Sequence, residues 1–173
     1  MDEFINGPLG AFHVVSAIIA LVIGAVVLAS KKGTNKHKKL GYVYFFSMLV
    51  LNLSAIPITS MSGSIGLFHI FILLSLPTTI MALYIPLFWR HKTNWLVLHF
   101  SFMYWSYVGL IAAFVAEIMV RLPTILMTTR QSDAQNISYT GYVDVALAFA
   151  IMGLVMFFAE LIFRSWRKRL KVG

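Results

Sequence analysis

The chain has 173 residues, of which 60% are hydrophobic and 12% charged, with a formal net charge of +8 and a mean hydropathy of +0.84. Soluble domains carry about 25% charged residues, so this composition describes an integral membrane protein. The absence of cysteine excludes disulfides, thiolate metal ligands, haem attached through cysteine and cysteine nucleophiles, and leaves His, Asp, Glu, Tyr and Met for any metal chemistry. The basic residues gather in short clusters between and after apolar segments, a pattern set by membrane topology and not by nucleic acid.

The first apolar stretch, Leu9–Ala29, is close to the roughly 20 residues that a helix needs to cross the hydrocarbon. It follows Asp2 and Glu3 without a basic leader and reads as a retained span, not a cleaved signal. His13 lies about five residues inside its start, and Ala17, Ala20 and Gly24 follow on the same helical face, small residues that allow close approach of a partner.

The next segment carries Lys31, Lys32, Lys36, His37, Lys38 and Lys39 and leads into a second span, Leu40–Ile58. A third span, Ile65–Trp89, holds His69 about five residues inside its start, while Pro57, Pro77 and Pro86 kink or end spans two and three. After Arg90, His91 and Lys92, the fourth span, Trp95–Val120, carries His99, Glu117 and then Arg121. Residues 124–139 are polar and predict an outer loop or a short surface helix; Asn136-Ile137-Ser138 matches a glycosylation acceptor that has no meaning in a bacterial protein. The fifth span, Tyr142–Phe163, opens near Asp144 and ends beyond Glu160, for which Arg164, one turn on, is the natural partner.

The whole of residues 1–173 is therefore expected to form a single all-α domain of five transmembrane helices, with no soluble domain before or after it. Lys and Arg concentrate between spans one and two, between three and four, and after five. The positive-inside rule puts the N-terminus outside and the C-terminus in the cytoplasm. Trp89, Trp95 and Trp166 then mark the inner interface and Tyr139 and Tyr142 the outer one.

With spans alternating in direction, His13 and His69 share the outer level and His37 and His99 the inner one. In an up-and-down bundle, helices one and three are diagonal partners, as are two and four, about 13 Å apart. That gap suits a haem held edge-on between two imidazoles. The two layers are expected to lie roughly 15–20 Å apart along the normal of a core about 30 Å thick. From His99, the residues Met103, Ser106, Leu110, Ala113 and Glu117 share one face.

Other readings compete residue by residue. His37 in a basic interfacial run reads, by itself, as a solvated side chain, and His91 as loop decoration. His13, His69 and His99 each have the alternative of a buried ring bonded to a hydroxyl or carbonyl. Glu117 and Arg121 are spaced to pair with each other. His13, His69, Glu117 and Asp144 all fall at the outer level, and two imidazoles with carboxylates suffice for zinc or non-haem iron. No G-x-S-x-G, P-loop, H-E-x-x-H or dinucleotide fingerprint is present.

The runs Lys32-Gly33-Thr34 with His37, Leu40-Gly41-Tyr42-Val43-Tyr44, Gly66-Leu67-Phe68-His69, and His99 followed by Met103, Ser106-Tyr107-Val108-Gly109-Leu110, Glu117 and Arg121 resemble a family of small bacterial multi-pass membrane proteins classed as a domain of unknown function. The resemblance covers roughly Phe12 to Pro123, leaves the last span outside, and points to the histidines with Glu117 and Arg121 as working residues, without supplying an activity. A looser, architectural resemblance is to ascorbate-reducible di-haem b-type cytochromes.

Together these readings predict a bacterial inner-membrane protein that binds one or two haem b groups through His13/His69 and His37/His99. It would act as a transmembrane electron-transfer oxidoreductase, taking electrons from a quinol or small reductant. The alternatives are a zinc- or iron-dependent membrane enzyme or transporter with its site at the outer face, and a non-catalytic membrane subunit. Lipid is the expected partner, nucleic acid is not, and a homo-oligomer is compatible with the pattern.

Overall fold

A computed structural model describes residues 8–57, 68–128 and 137–171, with side chains described for 8–57, 71–119, 147 and 149–168. All five elements are helices: α1 (Pro8–Ala29), α2 (Asn35–Ala55), α3 (Phe68–Phe88), α4 (Trp95–Thr128) and α5 (Ile137–Lys171). No strand occurs among the described residues.

Four of the helices contain a segment long and apolar enough to cross a membrane: Pro8–Ala29, Phe71–Phe88, Trp95–Met119 and Phe149–Lys168. The exception is α2, whose first turns carry Lys36, Lys38 and Lys39. Its apolar run within the described helix, Leu40–Ala55, is shorter than the roughly 20 residues of a full span.

Helix α2 begins at Asn35, five residues before the predicted span. The cause is local. Gly33 takes a left-handed φ of 79°, which few residues other than glycine adopt easily, and turns the chain. Thr34 is then extended (φ −70°, ψ 157°), and its hydroxyl accepts from the backbone N–H of His37 at 3.1 Å, a standard N-cap bond. His37 is thereby fixed in a helical first turn instead of a loop.

The far helices also run longer than predicted. Helix α4 has 34 residues, about 51 Å of rise, and α5 has 35. Helical backbone therefore takes up 124–128 and 137–139, where an outer loop or a short surface helix was predicted; Ile125, Leu126 and Met127 continue the helix more cheaply than a new turn would start.

The chain divides into two compact units, Met1–Tyr107 and Val108–Gly173. In the first, α1 packs on α2 and α2 on α3. Helix α1 buries Gly10, Ser16, Ala20, Gly24 and Val27 and exposes Phe12, Val15 and Val22. Small residues inward and large apolar ones outward is the membrane arrangement, in which backbones approach closely and lipid covers the rest. An added Cβ at Gly24 would meet Tyr107 Cδ2 at 2.5 Å and Tyr44 Cε2 at 2.8 Å, so these rings from α4 and α2 occupy the space that glycine leaves. In the second unit Ala159 and Phe163 are buried, and Arg164 pairs with Glu160 at 2.6 Å, as expected from their spacing.

Candidate functional site

The basic end of the first unit gathers His37 and His99 from α2 and α4. Helix α1 ends there with exposed carbonyls, and Lys32 closes it by donating from Nζ to the Val27 oxygen at 3.1 Å and the Leu28 oxygen at 2.6 Å. Ser30 donates its hydroxyl proton to the same Val27 oxygen at 2.9 Å. Its Oγ lies 3.0 Å from His37 Nδ1. A serine hydroxyl has one proton, and here it is already committed to Val27. With the proton so placed, the Ser30 oxygen is set to accept from His37 Nδ1–H.

His99 reaches the same state by another route. Its Nδ1 lies 2.7 Å from the Ala82 carbonyl oxygen of α3, which can only accept, so this nitrogen also carries the proton. Both neutral rings are held as the Nδ1–H tautomer with the lone pair on Nε2. A histidine that ligates a metal through Nε2 has this second bond, which fixes its orientation and raises its basicity.

The two ring centroids are 6.3 Å apart with planes at 88°. That separation lies within the edge-to-face range of stacked rings. Two imidazoles at this separation are also close enough to share one metal ion, at metal–nitrogen bonds of about 2.0 Å. Both rings are half-buried. Burial is the main cause that lowers the His37 pKa from its usual range, helped by the charge of Lys32 and by His99, while the Val27 carbonyl acts the other way. The ring is therefore kept neutral. Burial lowers the pKa of Lys32 as well. Arg90 donates to the Pro86 carbonyl, and its guanidinium lies over the Trp95 ring at 5.9 Å from the centroid.

At the opposite end His13 repeats the pattern. Its Nδ1 lies 3.1 Å from Ser54 Oγ, and Ser54 donates to the Leu51 carbonyl at 3.0 Å. With the Ser54 proton on Leu51, its oxygen is set to accept from His13 Nδ1–H. Its expected partner His69 falls in the first turn of α3, with a side chain outside the described residues, as are those of Arg121 and Asp144 on α4 and α5. Glu117 is half-buried on the part of α4 that belongs to the second unit. The predicted outer pair and the alternative metal set His13, His69, Glu117 and Asp144 thus rest partly on residues outside the description. Among the described residues no group of three His, Asp or Glu is placed to hold an ion. His91 is exposed in the loop, as expected.

The sequence reading of the site omitted Ser30 and the Ala82 carbonyl. Ser30 had a signal, seven residues before His37; a backbone carbonyl has none. Also omitted was a polar layer two turns from the histidines, where Ser106 Oγ lies 2.9 Å from the Tyr44 hydroxyl and 2.9 Å from Thr79 Oγ1.

Comparison with curated proteins and with solved structures finds no match in either. Residues 10–163 match the family described as "Predicted membrane protein (DUF2306)"; the match runs on through most of the last helix, which corrects the expectation that the resemblance ends near Pro123 and leaves the last span outside. The chain, with its helices of membrane-crossing length and its histidines at both ends of the first unit, belongs to this family of membrane proteins of unknown function.

Proposed function

We propose that this chain is a b-type cytochrome of the bacterial inner membrane that carries electrons from one face to the other. The observation that carries the reading is the His37/His99 pair: two rings 6.3 Å apart, each bonded through Nδ1 so that Nε2 keeps its lone pair. The donor set decides between ligands. Among the described residues no third His, Asp or Glu joins this pair, so a zinc ion held by it would have two side-chain ligands where four are usual. Haem, which brings ring nitrogens of its own, would need only two protein ligands, and His37 and His99 would supply them. The neighbouring Lys31, Lys32 and Lys36 suit its two carboxylates.

His37 and His99 would hold this group near the cytoplasmic face, and His13 with His69 a second one near the outer face. When bound, the group supplies one-electron chemistry. The protein's share is to orient the rings through Ser30, Ala82 and Ser54 and to keep His37 neutral. A quinol or small reductant is the proposed donor. With the N-terminus outside, the lysine-rich loops lie in the cytoplasm.

The test is the absorbance of the purified protein. A Soret band that sharpens on dithionite is expected, with about half of it lost in His99→Ala and about half in His13→Ala, as two bis-histidine sites require. Loss of all colour from His99→Ala alone would leave a single haem. A colourless protein, even after expression with added haem, overturns the reading.

A further inference from the structure

Tyr44 lies seven residues beyond His37 on α2, and Ser106 seven beyond His99 on α4, two turns in each case, about 10 Å of rise. Thr79 lies one turn from Ala82 on α3, whose carbonyl accepts from His99. These three residues meet at Ser106 Oγ through two bonds of 2.9 Å and are 2%, 1% and 1% exposed for Tyr44, Thr79 and Ser106. At the same level the Tyr44 and Tyr107 rings close on Gly24 of α1, and the Tyr107 hydroxyl donates to the Leu21 carbonyl at 3.1 Å. Four helices are thus joined at one depth, in a setting where a broken hydrogen bond finds little water to replace it.

We infer that Tyr44, Ser106 and Thr79 are positioning residues that lock the register of α2, α3 and α4 and so set the spacing of the His37 and His99 rings. The reasoning is one of leverage. A ring pair on two different helices keeps its spacing only if those helices cannot slide or rotate. Apolar packing resists sliding weakly in lipid, where it has no hydrophobic driving force, whereas directional bonds between helices resist it. Ser106 is the centre because it touches both partners; Tyr44 and Thr79 are joined only through it. The inference rests on the proposed function in that it treats this spacing as the geometry of a ligand pair.

The absence of native cysteine gives a test that needs no haem. His37→Cys/His99→Cys is made in the otherwise intact chain and its cross-linking rate by a short bis-maleimide is measured in detergent, with His13→Cys/Ser54→Cys as the control pair at the opposite end. Adding Ser106→Ala is expected to lower the first rate several-fold and leave the control rate unchanged. Ser106→Thr, which keeps the hydroxyl, restores it, and Tyr44→Phe, which removes one of the two bonds, falls between. Equal rates in all backgrounds, or an equal fall in both pairs, overturns the inference. Should Ser106→Ala fail to accumulate, Tyr44→Phe decides alone, an unchanged rate being the overturning result. In the histidine-intact chain Tyr44→Phe is expected to shift the reduction potential and the ferric spin-resonance signal without loss of the Soret band. A colourless parent overturns the proposed function and leaves the cross-linking result to judge the register.

Discussion

At the scale of single residues, the site is defined by where protons sit. Ser30 and Ser54 each spend their proton on a carbonyl of their own helix end or turn, and this turns both oxygens into acceptors for a histidine. The near-perpendicular planes of His37 and His99, 88° apart, carry a spectroscopic consequence for bis-imidazole ligation. If the two rings held a haem iron in this arrangement, the oxidised protein would be expected to show a highly anisotropic low-spin signal. A rhombic signal typical of parallel rings would contradict the pair as arranged. The charge of Lys32 gives a second expectation. It is one cause of the lowered His37 pKa, after burial. In the ligand-free protein, folding excludes a proton that the unfolded chain binds below about pH 6.5. Stability is therefore full above that pH and declines as pH falls toward the lowered folded value. Lys32→Met is expected to move the His37 titration upward, read from its ring signals by NMR, and to shrink this acid-side decline. A titration left where it was would remove Lys32 from the electrostatics of the site.

At the scale of elements, helix boundaries decide what the histidines can do. Long apolar runs made the helices legible, because a span of membrane length has few alternatives. The start of α2 was not legible: a lysine-rich run reads as a solvated loop until the glycine turn at Gly33 and the Thr34 cap are combined. The small-residue face of α1 was read correctly, but not what fills it. The Tyr44 and Tyr107 rings lie where a Gly24 side chain would be, so Gly24→Ala overpacks a junction of three helices. A loss of about 1–3 kcal/mol is expected for such overpacking, measured as a lowered thermal midpoint in detergent. The neighbouring Ala20→Gly change, which adds no atoms, serves as the comparison. An unchanged midpoint for Gly24→Ala would mean that α1 can stand off from these rings. The closeness of the His37 and His99 rings was legible from alternation and depth. Its supports were not, because a carbonyl on α3 and hydroxyls far apart in sequence leave no periodic trace.

At the scale of the molecule, the first unit holds histidines at both ends and no carboxylate between them, since residues 4–116 lack Asp and Glu altogether. Proton and cation pathways through membranes are usually marked by buried ionisable groups; between the histidine layers the described residues of this unit offer hydroxyls, an amide and the buried Met48 and Met103. Along α2 the two histidine levels lie well apart. From His37 to Ser54, which marks the level of His13, α2 rises about 25 Å, because the Thr34 cap sets His37 ahead of the apolar run. Two sites so separated, as proposed, would share no ligand, and each would be filled on its own. In lipid vesicles enclosing ferricyanide, a membrane-impermeant reductant outside is expected to bleach the trapped dye only when the protein is present. Substituting either end, His99→Ala or His13→Ala, should abolish bleaching, while the remaining site still changes spectrum when reductant reaches its own face. Bleaching at the parent rate in His99→Ala would take the His37/His99 pair off the electron path, whatever it binds.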